Sequence, residues 1–185
     1  MRFIGLSVKM ASMKRNFFIF TALVVLGLFS RLTPHGWNFT AIGAIALVSG
    51  LLISNRVLSL LVPVVALVIS DLFIGFHNTI TFVYGAYVLI AALGFAFNQQ
   101  KNLKNVLAMS VASSLIFFVI SNFGVWVVGD GLGYAKNFSG LMECFAMGIP
   151  FYRNQFLSDL ILTPVLFYSF IHLLNLQSLT DAKRA

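Results

Sequence analysis

Two of the five acidic residues in this chain, Asp71 and Asp159, interrupt strongly apolar stretches of sequence. Ionisable side chains are costly at membrane depth, and they usually mark a ligand site, an ion path or an ion pair. Arg153 and Asn154 precede Asp159 by one to two helical turns, and a lone arginine at this depth needs a partner. We therefore predict that Arg153 lies near Asp159 or Asp71. The alternative is a structural ion-pair cluster without a ligand.

A second group of polar and aromatic residues lies near the end of a long apolar stretch. Asn122 and Trp126 are four residues apart, which places them on one face of a helix. An amide offers hydrogen bonds and an indole offers a flat stacking surface, whereas Arg153 suits a carboxylate or phosphate. The alternative roles are interhelical hydrogen bonding for Asn122 and interfacial anchoring for Trp126. The full candidate substrate-binding set is Asp71, Tyr84, Asn122, Phe123, Trp126, Tyr152, Arg153, Asn154 and Asp159.

The sequence lacks the motifs of common enzymes and cofactor sites. It contains no HExxH, no GxSxG and no Walker nucleotide-binding sequence, and Cys144 is its only cysteine. We therefore predict neither catalysis nor a bound metal or cofactor. The net charge of +7 does not indicate nucleic-acid binding, because no run of Lys or Arg exceeds two residues and the basic residues flank apolar segments.

The elements that position these residues are predicted to be transmembrane helices. Hydrophobic residues form 59% of the chain and charged residues 9%, against about 45–50% and about 25% in soluble domains. A soluble domain of this length has too little interior for so many apolar side chains, so lipid must surround most of them. We predict an all-α integral membrane protein with six apolar spans, at about residues 16–30, 39–53, 57–74, 80–97, 106–128 and 155–174.

The basic residues predict the orientation of this bundle. Nine lie on the side of the two termini and of the second and fourth connections, whereas Arg31, Lys136 and Arg153 lie on the other side. The positive-inside rule therefore places both termini in the cytoplasm and the bundle in a bacterial-type inner membrane. The predicted division of the chain is a cytoplasmic segment (residues 1–15), the membrane domain (residues 16–174) and a cytoplasmic tail (residues 175–185).

Residues 129–154 differ from the other connections. Their first half is polar and rich in glycine, and their second half, LMECFAMGIPFY, is apolar but too short to span a membrane. We predict a short helix that lies on the outer face or dips into it, where it could cap a cavity that opens outward. Because the ionisable and amide candidates all fall in the outer third of the bundle, we expect a pocket that is open to the outside and sealed below.

Four strings of sequence, PHGWNFTAIGAIALVSG, LVPVVALVISDLFIGFH, SNFGVWVVGDG and IPFYRNQFLSDL, resemble a bacterial family of small membrane proteins. That family is similar to the S components, the substrate-binding subunits, of energy-coupling factor (ECF) transporters. The resemblance covers about residues 31–174. It implies a six-helix fold that captures a vitamin or similar micronutrient outside the cell, with a membrane coupling protein and two cytoplasmic ATPases as partners. One departure is that the first span lacks the AxxxA motif with which S components often dock the coupling protein.

The outer polar residues, together with this resemblance, favour a substrate-binding membrane component for nutrient uptake. The expected partners are a vitamin-like small molecule, the lipid bilayer and the energising ECF proteins, without nucleic acid. The alternative is a non-transport scaffold of the bacterial envelope, which would have the same topology but would need no ordered pocket.

A reporter fused after Ala185 is expected to be active in the cytoplasm, because nine of the twelve basic residues lie on the side of the termini. Cysteines introduced near Gly131 should then react with a membrane-impermeant thiol reagent added to intact cells. Labelling at Gly131 only from the cytoplasmic side would reverse the predicted orientation.

Overall fold

The computed structural model describes residues 2–34, 38–129 and 133–184, with the side chains of residues 10–34, 38–129 and 133–176. These ranges contain six α-helices and no strand, which confirms the all-α prediction. The first and last helices extend beyond the predicted span boundaries at residues 16 and 174. The helices are α1 (Arg2–Leu32), α2 (Ile42–Leu52), α3 (Arg56–Ile74), α4 (Ile80–Ala96), α5 (Leu103–Val128) and α6 (Phe138–Arg184).

Side-chain contacts show how the first three helices are directed. Arg31, near the end of α1, pairs with Asp71, near the end of α3, at 2.5 Å. Towards the other ends of these helices, Asn16 of α1 donates a hydrogen bond to Ser54, just before α3, at 2.9 Å. α1 and α3 are therefore parallel neighbours, and α2, which connects the end of one to the start of the other, runs antiparallel to both.

The fourth and fifth helices are also antiparallel. The rings of Phe82 and Phe123 lie 6.1 Å apart, at the start of α4 and near the end of α5. Further along, the rings of Tyr87 and Phe117 lie 4.7 Å apart. Successive contacts thus move forward along α4 and backward along α5, as an antiparallel pair requires.

The last two helices complete the alternation. Phe118 of α5 packs on Tyr152 of α6 with ring centroids 4.7 Å apart, and Tyr168, later in α6, donates to the backbone carbonyl of Lys101, before α5 begins. Both chain termini therefore lie at one end of the bundle, which we call the terminal end. The opposite or distal end carries the first, third and fifth connections, of which the structure describes residues 33–34 and 38–41, residues 75–79, and residues 129 and 133–137.

The bundle has an apolar core that also contains polar side chains, and many large apolar side chains lie on its surface. Asp71 and Asp159 are fully buried, whereas Phe29 is 68% exposed and Phe73 is 75% exposed. Such a surface is unfavourable in water but suits the hydrocarbon of a bilayer. Among the described residues, four helices are long and apolar enough to cross a membrane, namely Met10–Leu32, Arg56–Ile74, Leu103–Val128 and Phe138–Leu176.

The shortest helix, α2, lies at the centre of the bundle. Residues 42–51 are all buried, and the other five helices pack around them. Eleven residues rise only about 16 Å, roughly half the thickness of the hydrocarbon core. The observed helix is thus shorter than the predicted second span of residues 39–53. The helix ends early because Ile53 is extended and Asn55 already caps α3, its side chain accepting the backbone N–H of Leu58.

The prediction of a separate outer helix within residues 129–154 is wrong. That apolar segment is the first part of α6, which runs without a break into the predicted sixth span. Asn137 begins the helix, since its side-chain oxygen accepts the backbone N–H of Gly140 at 2.9 Å. The thiol of Cys144 donates to the carbonyl of Asn122 on α5. The segment therefore packs along α5 and does not form a separate cap.

The backbones of α2 and α4 approach each other closely at two glycines. A Cβ atom on Gly50 would lie 2.1 Å from the carbonyl oxygen of Ala91, and a Cβ atom on Gly94 would lie 2.3 Å from that of Leu47. Only a residue without a side chain permits this approach, as at other close helix crossings in membranes. The contact leaves no space between α2 and α4 at the level of these glycines.

Gly50→Ala is expected to lower the free energy of unfolding by about 1–3 kcal/mol, because the new methyl group must push α2 and α4 apart. Gly85→Ala on α4 is the matched control, since a Cβ atom there has no neighbour within 4 Å. Unfolding of the detergent-solubilised variants measures both changes. Equal stability of the two variants would contradict the close approach.

Candidate functional site

A cavity of about 590 Å³ lies at the distal end of the bundle. All three distal connections contribute to it, and α5 and α6 form its longest walls. Its described lining residues are Asn38, His77, Thr79, Phe117, Phe118, Ser121, Asn122, Val125, Tyr134, Cys144, Met147, Gly148, Phe151, Tyr152 and Gln155. The cavity therefore lies where the sequence predicts a pocket, although a different set of residues forms it.

The described lining is aromatic and polar but carries no lysine, arginine, aspartate or glutamate. Phenyl and phenol rings supply flat apolar surface, and amides and hydroxyls supply hydrogen-bonding groups. Burial raises the pKa of the Tyr134 phenol, an effect to which Cys144 and Glu143 add, so this group is a neutral hydroxyl. Among the described residues, no three His, Cys, Asp or Glu side chains lie together as a metal site requires.

The third connection contributes a pair of polar side chains to the cavity. His77 Nδ1 lies 3.0 Å from the hydroxyl of Thr79, and the backbone N–H of Ile80 donates to the carbonyl of His77. The turn therefore holds the imidazole against the first residues of α4. Sequence reasoning did not select His77, because a histidine in a polar connection is usually solvated.

Gln155 connects the cavity to the centre of the bundle. Its side chain lines the cavity and donates from Nε2 to Asp159 Oδ2 at 2.9 Å. A Cβ atom on Gly43 would lie 2.2 Å from Asp159 Oδ1, so the carboxylate is packed directly on the first turn of α2. The backbone N–H of Ala44 faces it there, although Oδ1 makes no hydrogen bond of ordinary geometry with the described residues.

This placement explains why α2 needs no capping side chain of its own. Its N-cap residue is Ala41, which cannot accept a hydrogen bond with its side chain. The carboxyl group of Asp159 lies at this helix N-terminus, where its oxygen atoms face backbone N–H groups that have no partner within the helix. The neighbouring Ser158 donates to the carbonyl of Thr40. Asp159 therefore joins α6 to α2, and it reaches the cavity only through Gln155.

Asp71 forms a separate buried cluster in which Arg31 replaces the predicted Arg153. Arg31 donates to Asp71 Oδ1 at 2.5 Å, and the hydroxyl of Tyr84 donates to Oδ2 at 2.7 Å. Arg153 is exposed on α6 and forms no ion pair with either buried aspartate in the described structure. The prediction that Arg153 pairs with Asp71 or Asp159 is wrong, because α1 and not α6 packs beside the distal part of α3.

Two of the nine predicted site residues, Asn122 and Tyr152, line the cavity. Asn122 donates from Nδ2 to the carbonyl of Phe118, and a Cβ atom on Gly148 would lie 2.2 Å from its Oδ1. The amide therefore also brings α5 and α6 together. The predicted residues that do not line the cavity are Asp71, Tyr84, Phe123, Trp126, Arg153, Asn154 and Asp159.

Trp126 and Phe123 have structural contacts outside the cavity. The indole N–H of Trp126 donates to the carbonyl of Ala135 at 2.9 Å, and Lys136 Nζ lies 5.5 Å from the centre of the indole ring. Phe123 is 42% exposed and packs edge-on against Phe82. Trp126 thus binds the fifth connection, and Phe123 packs α5 against α4. Neither ring lines the cavity, so neither offers a stacking surface to a cavity ligand.

The exposed apolar side chains and the four described helices that are long and apolar enough to cross a membrane are consistent with a multi-pass α-helical membrane protein. The chain belongs to the family of unknown function DUF6580, whose model matches residues 11–180. No curated protein and no solved structure matches the chain. The family assignment covers the helical bundle and assigns no activity to it.

Arg31→Gln and Asp71→Asn are each expected to lower the stability of the solubilised protein, because each leaves a buried polar partner incompletely bonded. The double variant should lose roughly 0.5–3 kcal/mol less than the sum of the single losses. Arg153→Gln is the control, and its effect should add to that of Asp71→Asn. Coupling of Asp71 to Arg153 but not to Arg31 would contradict the observed pairing.

Proposed function

We propose that this protein is the substrate-binding membrane component of an uptake system for a vitamin or a similar small organic nutrient. The observation that carries the proposal is the distal cavity, whose 590 Å³ lies within the range of about 300–1,000 Å³ for small-molecule sites. Its aromatic surface, interspersed with amides and hydroxyls, is also typical of such sites. No catalytic role is proposed for any residue.

The packing below the cavity supports a binding role over a continuous channel. Tyr87 stacks on Phe117, which lines the cavity, and the carboxylate of Asp159 packs against α2 behind Gln155. Further towards the terminal end, the glycine contact brings the backbones of α2 and α4 together and leaves no space between these two helices. A ligand in the cavity would therefore be open to one side of the membrane only.

The charge distribution supports a cytoplasmic terminal end. Five of the seven exposed basic residues with described side chains lie there, and the other two, Lys136 and Arg153, lie in the distal half. Of the distal basic residues, Arg31 pairs with Asp71, and Lys136 bonds to backbone carbonyls of α5. The positive-inside rule then places both termini in the cytoplasm of a bacterial cell and the cavity on the outer face. The exposed basic side chains at the terminal end are Lys14, Arg15, Arg56, Lys101 and Lys104.

The resemblance to ECF S components supplies the energising step of the proposal. The chain has no nucleotide-binding motif, so transport would need a separate coupling protein and ATPases. Because α2 is buried among the other five helices below the cavity, the proposal delivers the substrate by a movement of the whole component, which the partners of S components provide. Because α1 lacks the AxxxA motif, the coupling protein would dock on a different helix face in this proposal.

At least one compound of a vitamin and nutrient panel is expected to raise the melting temperature of the purified protein. A ligand at 100 times its Kd adds about 2.7 kcal/mol to the free energy of unfolding. Ser121→Trp places an indole in the cavity and should abolish the shift. Val119→Trp, on the exposed side of the same helix, should retain it. Thermal denaturation with and without each compound provides the measurement.

The envelope-scaffold alternative predicts a different result in the same experiment. A scaffold needs no ligand, so no compound would stabilise the protein, and the two tryptophan variants would differ only in stability. A ligand-induced shift that survives Ser121→Trp would instead retain the binding function and contradict its assignment to the cavity.

A further inference from the structure

We propose that the distal cavity selects an uncharged, planar ring compound that presents an N–H donor to the side-chain carbonyl of Gln155. The inference rests on the proposed binding function and adds the chemical class of its substrate. It differs from the sequence prediction, in which Arg153 offers a partner for a carboxylate or phosphate. Three properties of the described lining carry it, namely its charge, its hydrogen-bonding groups and its aromatic surface.

The described lining contains no lysine, arginine, aspartate or glutamate, and His77 is its one described side chain that can take up a positive charge near neutral pH. Arg153 is exposed on α6 and does not line the cavity, and Arg31 is paired with Asp71. Lys136 lies close enough to act on Cys144 in the cavity wall, but its ammonium group bonds to the carbonyls of Trp126 and Val127. An ionised group entering the cavity would lose water without meeting a permanently charged side chain, and an anion would gain a partner only where His77 is protonated, which is costly near neutral pH.

The orientation of the Gln155 amide follows from what surrounds Asp159. The carboxylate faces the backbone N–H of Ala44 on one side and accepts from Gln155 Nε2 on the other. The amide nitrogen of Gln155 thus donates to Asp159, and its carbonyl oxygen Oε1 is the group of this side chain that can accept a hydrogen bond from a ligand in the cavity. Within the described ranges, no hydrogen bond to Oε1 is formed by the protein. A ligand N–H would satisfy this acceptor.

The shape of the ligand follows from the aromatic side chains. Phe117, Phe118, Phe151, Tyr134 and Tyr152 all line the cavity. Aromatic faces attract flat rings through stacking and edge-to-face contacts, in addition to the hydrophobic gain. A ring compound with its faces against these side chains can direct a ring N–H towards Gln155, which a flexible aliphatic molecule does less well.

Binding of matched probe pairs to the purified full-length protein tests the inference. The pairs are nicotinamide with nicotinate, riboflavin with its 5′-phosphate, and lumichrome with an N-methylated lumichrome, each titrated by calorimetry and thermal shift. Uncharged members should bind at least about tenfold more tightly than anionic ones, the factor of a 1.4 kcal/mol difference. Loss of the ring N–H should weaken binding roughly two- to tenfold. Any binding compound from the nutrient panel is sorted by the same two criteria.

The outcomes separate this inference from the function on which it rests. Anionic members that bind as well as the uncharged ones, or N-methylated members that bind as well as the N–H forms, would overturn the ligand class while preserving a binding function. Failure of every probe and every panel compound to bind would overturn both the ligand class and the proposed function.

Asp159→Asn tests the role of Asp159 in positioning Gln155. An asparagine at residue 159 can donate as well as accept, so the Gln155 amide can turn over and the preference for N–H over N-methyl probes should fall to near one. Asp71→Asn, a change at an equally buried carboxylate outside the cavity, should keep the preference. If Asp159→Asn does not fold, Gln155→Met should remove the same preference. An unchanged preference in a folded variant at residue 155 would overturn the assignment.

Discussion

The packing of the Asp159 carboxylate on the first turn of α2 is the interaction on which the rest of the structure depends. α2 is too short to be held by membrane hydrophobicity alone and begins with an alanine that cannot cap it. A favourable charge at a helix N-terminus contributes about 0.3–2 kcal/mol, whereas an uncompensated buried charge costs several kcal/mol. The arrangement is stable only because Gly43 lets the carboxylate reach the backbone and Gln155 bonds its other oxygen. The centre of the bundle and the cavity wall are therefore fixed by one side chain.

Much of the fold, but less of the site, could be predicted from the sequence. Composition requires lipid around the helices, and the limits of α3 and α4 agree with prediction to about one residue, since capping and turn residues bound them. Hydropathy gives the depth of a residue but not its direction around the bundle. Arg31 and Arg153 both fall towards the distal side, and only the packing of α1 beside α3 decides which one meets Asp71. Gln155 was missed for the same reason, because an uncharged amide at the start of the predicted sixth span carries no signal until its neighbours are known.

The walls of the distal cavity are positioned by helix contacts beside it. Asn122 and Gly148 bring α5 and α6 into contact beside it, and the edge-on rings of Phe82 and Phe123 join α4 to α5. Trp126 is the residue whose predicted and observed roles differ most. Its indole does not contact the cavity but bonds to the carbonyl of Ala135, next to Tyr134 in the lining.

Lys136 adds to this arrangement, because its ammonium group bonds to the carbonyls at the end of α5 while lying near the face of the same indole. Ala135 and Lys136 of the fifth connection are thus both bonded to the end of α5. These bonds fix the position of the adjacent Tyr134, which lines the cavity. An aromatic side chain that a sequence pattern assigns to ligand stacking can therefore act one step away, by positioning the residue that does line the site. The same relation holds between Asp159 and Gln155. In both cases a residue that the sequence marks clearly, a buried acid or a tryptophan near a helix end, shapes the cavity through a neighbour. The sequence therefore indicates the region of the cavity more accurately than its lining.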